Sequence, residues 1–257
     1  MRRLPLAVSR MAALLPAEGL TGQGLIMGEN LAEAGLVDVC DPGAPREVPS
    51  FDDGFRVRLK DLLVWRRHVR RFRPDPLPDS LLERLIDLAC LAPTVGLSQP
   101  WRFVVVNSVA RRAAIRTNFE RCNAEALASQ PMERAARYAR LKLAGLDEAP
   151  CHVAVFADRS TVRGHGLGRR TMPETVGYSA VMAIYSLWLL ARAEGVGLGW
   201  VSILDPKEVV AALDVPQAWT FIGYLCLGYP DSEQDVPALE RAGWEQRGMP
   251  SVCRLER

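Results

Sequence analysis

The chain has almost no net charge, very little histidine and no long unbroken apolar run. Its 257 residues carry 32 Lys and Arg against 30 Asp and Glu, a formal net charge of +2. A chain so balanced has no global pull toward nucleic acid or a membrane surface, so any anion recognition must be local. Three histidines argue against a His-built metal centre, and none is expected. No stretch reaches the roughly eighteen uninterrupted apolar residues of a membrane helix. The six cysteines, at 40, 90, 122, 151, 226 and 253, show no CxxC spacing. A disulfide framework is not expected in so long a chain without a secretory start. Cys90, Cys151 and Cys226 lie in apolar runs and read as small buried hydrophobes. The opening "MRRLPLAVSRMAALLPAEG" has the arginines and short apolar run of a targeting segment, but Ser9 and Arg10 interrupt it. A cytoplasmic protein with an N-terminal extension is the main expectation, and a targeting segment the minority one.

Apolar residues make up 49% and charged residues 24%, as in soluble globular proteins. Residues 1–54 read as a leader and linker ending in the turn-rich "DPGAPREVPSFDDG", and residues 55–257 as the folded domain. Phe55, Leu59, Leu62 and Leu63 recur at helical spacing, predicting a helix that ends near the arginines of "WRRHVRRFRPDP". Ser80 is placed to cap a helix carrying Leu81, Leu85 and Ala89. Strands are predicted at "WRFVVVN", "PCHVAVFAD", "GVGLGWVSIL" and "WTFIGYLCLGYP", and helices over 109–145, 176–194 and 205–213. The helix 176–194 is apolar nearly all round, which suits a core or a subunit interface. Intermixed helices and strands give an α+β or α/β layered domain. "GHGLG" lacks the strand–GxGxxG–helix context of a dinucleotide fingerprint.

Four stretches could carry chemistry. Arg66, Arg67, Arg70, Arg71 and Arg73 crowd eight positions. On a helix Arg66 would share a face with Arg70, and Arg67 with Arg71. A solvated helix end explains two or three such residues, nucleic acid needs a wider basic surface, and a small-molecule phosphate suits the planar guanidinium fork. "LAPTVGLSQPWRF" is either a connector or a wall for a planar heterocycle, with Thr94, Ser98 and Gln99 supplying polar groups. Tyr178 and Ser179 open an apolar helix, as cap or as ligand contacts. "GVGLGW" lets the backbone approach something closely, whether a ligand or a packed element.

Taken in order, "RRHVRRF", "LAPTVGLSQPWRF", "GYSAVMAIYSLWLLARAEGVGLGW" and "VSIL" resemble the flavin-dependent nitroreductase superfamily. Within it, "YARLKLAGLDEAP", "YLCLGYPD" and "GWEQR" are similar to the branch that fragments flavin to 5,6-dimethylbenzimidazole, the lower ligand of cobalamin. The likeness spans residues 55–247. It implies an α+β fold with a central mixed sheet flanked by helices, in a domain-swapped type of homodimer with FMN at the interface. It implies FMN phosphate and ribityl contacts from Arg66, Arg67, His68 and Arg70, with Arg247 as a further phosphate contact. It places Pro93, Thr94, Gly96, Gln99, Tyr178, Gly199, Trp200 and Ser202 around the flavin, and residues 138–150 as a cover. O2 would be the oxidant and NAD(P)H the direct or indirect electron source, with a separate flavin reductase as a possible partner. Ser179 and His68 would be the catalytic side chains. The branch carries an aspartate where this chain has His68. His68 then has three readings: a replacement base, the mark of a reductase of nitro, quinone or corrinoid substrates that recycles FMN, or a structural histidine. A flavin-binding protein with altered catalysis is the non-enzyme alternative.

Overall fold

A computed structural model describes residues 48–133 and 145–248 of the chain. The described residues from Phe51 onward form one compact unit. Its elements are α1 (Asp53–Trp65), α2 (Leu81–Ala89), a 3₁₀ turn (Val95–Leu97), β1 (Trp101–Val105), α3 (Val109–Ala128), α4 (Gly145–Glu148), β2 (Cys151–Asp158), α5 (Thr175–Ala193), β3 (Gly197–Val201), α6 (Pro206–Leu213), β4 (Trp219–Gly228) and α7 (Ala238–Arg241). Residues 134–144, in the predicted helix 109–145, lie outside the described residues.

The strands form one sheet in the order β1-β2-β4-β3. Among the described residues every neighbouring strand pair is antiparallel, where a mixed sheet was expected. Among the described residues the parallel feature is a single bridge, His68 with Leu198, where the chain after α1 runs beside β3. Parallel neighbours require a long crossover, but a long connection does not require parallel neighbours. Helical excursions separate β1 from β2 and β2 from β4, so chain direction could not be read from connection length.

The sheet is packed on both faces. Along β2, Ala154 and Phe156 join one core cluster while Val153 and Val155 join the other. Tyr224 and Cys226 alternate with Leu225 and Leu227 in the same way on β4, as the two-residue period of a strand demands. Cys226 is buried as expected, whereas Cys90 and Cys151 are only partly so. Ser80 makes no side-chain capping bond; the turn that starts α2 is closed by Leu81 N–H on Pro78 O at 2.9 Å. Asp52 caps α1 instead, its carboxylate accepting Phe55 N–H at 2.6 Å.

Helix α5 has two faces of different fate. Ala180, Ala183, Ile184, Leu187 and Ala191 are buried in the core. Tyr178, Val181, Met182 and Tyr185, at i, i+3, i+4 and i+7, are 37–56% exposed and form a second apolar stripe. By length and hydropathy α5 could cross a membrane, yet its first face is core of this sheet. Helix α1 buries no residue, and Phe55, Leu59 and Leu63 lie open on it.

Candidate flavin phosphate pocket

The arginine stretch is not helical. Helix α1 stops at Trp65, and Arg66 as its C-cap has φ −69° and ψ 104°, which turns the chain into extended backbone. The segment then lies against the sheet edge: Val69 N–H donates to Leu198 O at 3.0 Å, and Arg73 N–H to Tyr229 O at 2.9 Å. The helical pairing of Arg66 with Arg70 and of Arg67 with Arg71 therefore does not exist. Gly197 and Gly199 make room for this segment. A Cβ on Gly199 would sit 2.4 Å from Val69 O, and one on Gly197 2.6 Å from Val69 Cγ2. What approaches these glycines closely is the protein's own chain.

The extended segment forms one wall of a cavity of about 280 Å³. Arg67, His68, Arg70 and Arg71 line it, with Trp188 and Arg192 of α5 and Arg241 of α7 also in its lining. Arg67 is fixed in plane by its Nε–H on Asp235 O at 2.7 Å and an Nη1–H on Arg66 O at 3.1 Å. Burial, then the charges of Arg247 and Arg66, push its pKa down from the ordinary arginine value. Among the described residues Glu233 is the one carboxylate lining the cavity, and Arg192 clamps both its oxygens at 2.7 and 2.6 Å. Arg66 is not part of the lining; its guanidinium sits 4.9 Å from the ring of Trp188, which is, and 5.8 Å from that of Tyr185. Its buried Nε has no hydrogen-bond partner. Arg73 is settled elsewhere, on Asp75 at 3.0 Å and over Tyr229 at 5.0 Å. Arg71 meets Glu148 at 3.6 Å, and Asp235 and Glu240 act on Arg67. Guanidinium groups still outnumber carboxylates along the cavity lining, and with an orphaned donor beside them they fit a phosphate-bearing ligand.

His68 is partly buried between these cations. Desolvation, then Arg70 and Arg66, lower its pKa to about 4, so the ring is neutral near pH 7. Its Nδ1 accepts Trp200 N–H at 3.3 Å, and the ring meets Trp188 edge-on at 6.2 Å.

The other candidates gather elsewhere. Gly96, Leu97 and Gln99 have φ of 56°, 53° and 43°. Gln99 N–H donates to Thr94 Oγ1 at 3.1 Å. The loop bearing Pro93 packs on residues 163–168, where a Cβ on Gly164 would fall 2.3 Å from Gly96 O. Of the four left-handed non-glycine residues described, Leu97, Gln99 and His165 lie in these two loops, which concentrates backbone strain there. Ser179 does not cap α5; Glu174 holds that position. Its buried hydroxyl donates to Thr175 O at 2.8 Å and accepts Val95 N–H at 3.0 Å, which ties the loop to the helix. Tyr178 beside it is open.

One chain thus carries two clusters. Ser179 and Trp188 are nine residues apart on α5, about 14 Å along the helix axis. Arg67, His68, Arg70 and the Trp200 amide lie toward one end, and Pro93, Thr94, Gly96, Gln99, Tyr178 and Ser179 toward the other. Gly199 is buried under Val69, and Ser202 is exposed. Arg247 pairs with Glu240 at 2.9 Å, and its charge bears on Arg67. Of the cover segment 138–150, residues 138–144 lie outside the described residues. Its remainder includes α4, from which Glu148 accepts Phe72 N–H at 3.1 Å. Sequence reading missed Trp188, Arg192 and Arg241. The first two sit in a helix whose apolar run signals only core, so no local pattern could single them out.

A model of the nitroreductase family matches residues 63–229. The chain belongs to the nitroreductase family. A protein of Rhodospirillum rubrum named 5,6-dimethylbenzimidazole synthase is 57% identical over 209 residues, covering 81% of this chain and 99% of the relative. A synthase of the same name from Rhodobacter capsulatus is 47% identical, over 77% of this chain and 95% of its own. Among solved structures, iodotyrosine deiodinase bound to FMN and 3-iodo-L-tyrosine superposes with a TM-score of 0.59 at 26% identity, over 68% of this chain and 91% of its own.

Proposed function

We propose that this nitroreductase-family chain fragments reduced FMN with O2 to give 5,6-dimethylbenzimidazole. The observation that carries the reading is the 57% identity to the Rhodospirillum rubrum synthase over nearly its whole length, joined to a basic pocket that fits a flavin phosphate. Arg67, His68 and Arg70 would hold the phosphate and ribityl end, with Arg66 and Arg247 adding positive potential. Bound FMN would supply both the electrons that reduce O2 and the carbon skeleton of the product. The chain's own task is then to orient the ring, exclude bulk water and keep charge balanced at the phosphate. Pro93, Thr94, Gly96, Gln99, Tyr178 and Ser179 would serve the ring end. NAD(P)H is the proposed ultimate electron source, through a separate flavin reductase.

The working unit is proposed to be a homodimer. A pocket of about 280 Å³ is at the small end for a whole cofactor, and the ring-end loop lies about 14 Å away along α5. A two-fold partner would bring its own loop to the first protomer's arginines. The apolar stripe of α5 and the open face of α1 are the surfaces available to it. Sedimentation equilibrium is expected to give twice the 28.4 kDa of one chain; a monomer at micromolar concentration would refute this part.

The function is tested by reducing the FMN-loaded protein and admitting air while the flavin absorbance is recorded. Irreversible loss of the flavin bands with release of 5,6-dimethylbenzimidazole is the expected result. Full return of the oxidised spectrum, with steady NADPH consumption, would make this a flavin-recycling reductase and refute the reading.

A further inference from the structure

We propose that His68 serves this pocket as a fixed hydrogen-bond donor through Nε2, to an oxygen of the bound FMN, and not as a proton acceptor. The inference rests on FMN occupying the pocket, and it assigns a direction to one hydrogen bond within it.

A neutral imidazole has one nitrogen that accepts and one that donates, and the bond made by either fixes the role of the other. Trp200 N–H points at Nδ1 at 3.3 Å. An amide hydrogen can only donate, so Nδ1 holds the lone pair and Nε2 holds the proton. Two neighbours keep the ring in place for this. The backbone of the His68 segment is locked to β3 by the His68–Leu198 bridge and by Val69 N–H on Leu198 O at 3.0 Å. Trp188 meets the imidazole edge-on at 6.2 Å, and its Nε1–H donates to Arg67 O at 3.2 Å. One indole therefore positions both the ring and the adjacent arginine. What His68 can offer the cavity it lines is Nε2–H.

The surroundings favour the same role. Arg66 and Arg70 act on the ring, and both oppose a positive charge there. A donor without formal charge adds to the grip on ligand oxygen without adding to the repulsion among the guanidinium groups. An acceptor facing the same oxygen would oppose it. Proton removal during turnover, on this account, falls to a group other than His68.

Two measurements test this. The first is ¹⁵N NMR of ¹⁵N-histidine-labelled protein at pH 7, with and without FMN; His68→Phe identifies the signal among three histidines. The neutral Nε2–H form is expected in both states. An imidazolium or an Nδ1–H ring in the FMN complex would overturn the proposal. The second compares dissociation constants for FMN. His68→Phe keeps an aromatic ring against Trp188 but has no donor, and is expected to weaken FMN about tenfold. His68→Gln, which restores an N–H, should recover most of that loss. Equal affinity of His68→Phe and wild type would overturn the proposal. If wild type does not bind FMN at all, the flavin reading fails, and the spectrum of the free protein still decides which nitrogen carries the proton.

Discussion

Alanine at both Arg67 and Arg70 is expected to weaken FMN at least a hundredfold while leaving riboflavin within about threefold. The two ligands differ only in the phosphate, so the comparison isolates the group that the cavity is argued to hold. A hydrogen bond to a charged partner contributes about 1.5–3 kcal/mol, and two lost together amount to a factor of a hundred or more. Arg67 is held in plane by two backbone carbonyls, so its fork meets the ligand with little entropy left to lose. Titration by flavin fluorescence quenching checks this. Equal loss for FMN and riboflavin would mean that the arginines act on the fold and not on the phosphate.

The second large effect is on stability in acid. His152 is buried in the core, its Nδ1 2.9 Å from Tyr224 Oη. Desolvation, then the Arg112 charge, lower its pKa to about 4, against a hydrogen bond with the Ala149 backbone that raises it. The folded value lies below the unfolded one of about 6.5, so between those limits the unfolded chain binds more protons. Stability is therefore full above pH 6.5 and falls as the pH drops toward 4. The arithmetic gives a loss of about 2.5 kcal/mol between pH 7.5 and 4.5 from His152 alone. His68, lowered to about 4 as well, changes stability in the same direction, and bound phosphate would oppose its shift. Urea unfolding at the two pH values should show the loss, and His152→Gln should remove about 2.5 kcal/mol of the pH dependence. An unchanged pH dependence in that variant would contradict the assignment.

Much of the fold was legible because its signals are local. "CHVAVFAD" is a mostly apolar run with Val153 and Val155 β-branched, and β2 is a strand buried on both faces. The apolar helix read over 176–194 appears as Thr175–Ala193. Pairing direction was not legible, because it depends on which distant strand lies alongside. The same holds for the arginine stretch. Its spacing allows a helix, and only contact with Leu198, far along the chain, makes it extended. Gly199 had two readings from sequence, ligand or packing, and Val69 O decides for packing. Ser179 could be read as a cap or a contact. Its bond to Val95 N–H gives it a third role, as an anchor for a strained loop. Arg67, His68 and Arg70 do converge on one cavity, whereas the ring-end residues lie apart on the same chain. No sequence pattern states a distance along a helix that has two occupied ends.

The most direct test repeats the aerobic oxidation with reduced FMN labelled with ¹³C throughout its ribityl chain. The account predicts that the flavin spectrum is lost and that 5,6-dimethylbenzimidazole is recovered carrying one ¹³C atom from that chain. Recovery of labelled FMN intact, with no benzimidazole formed, would contradict it.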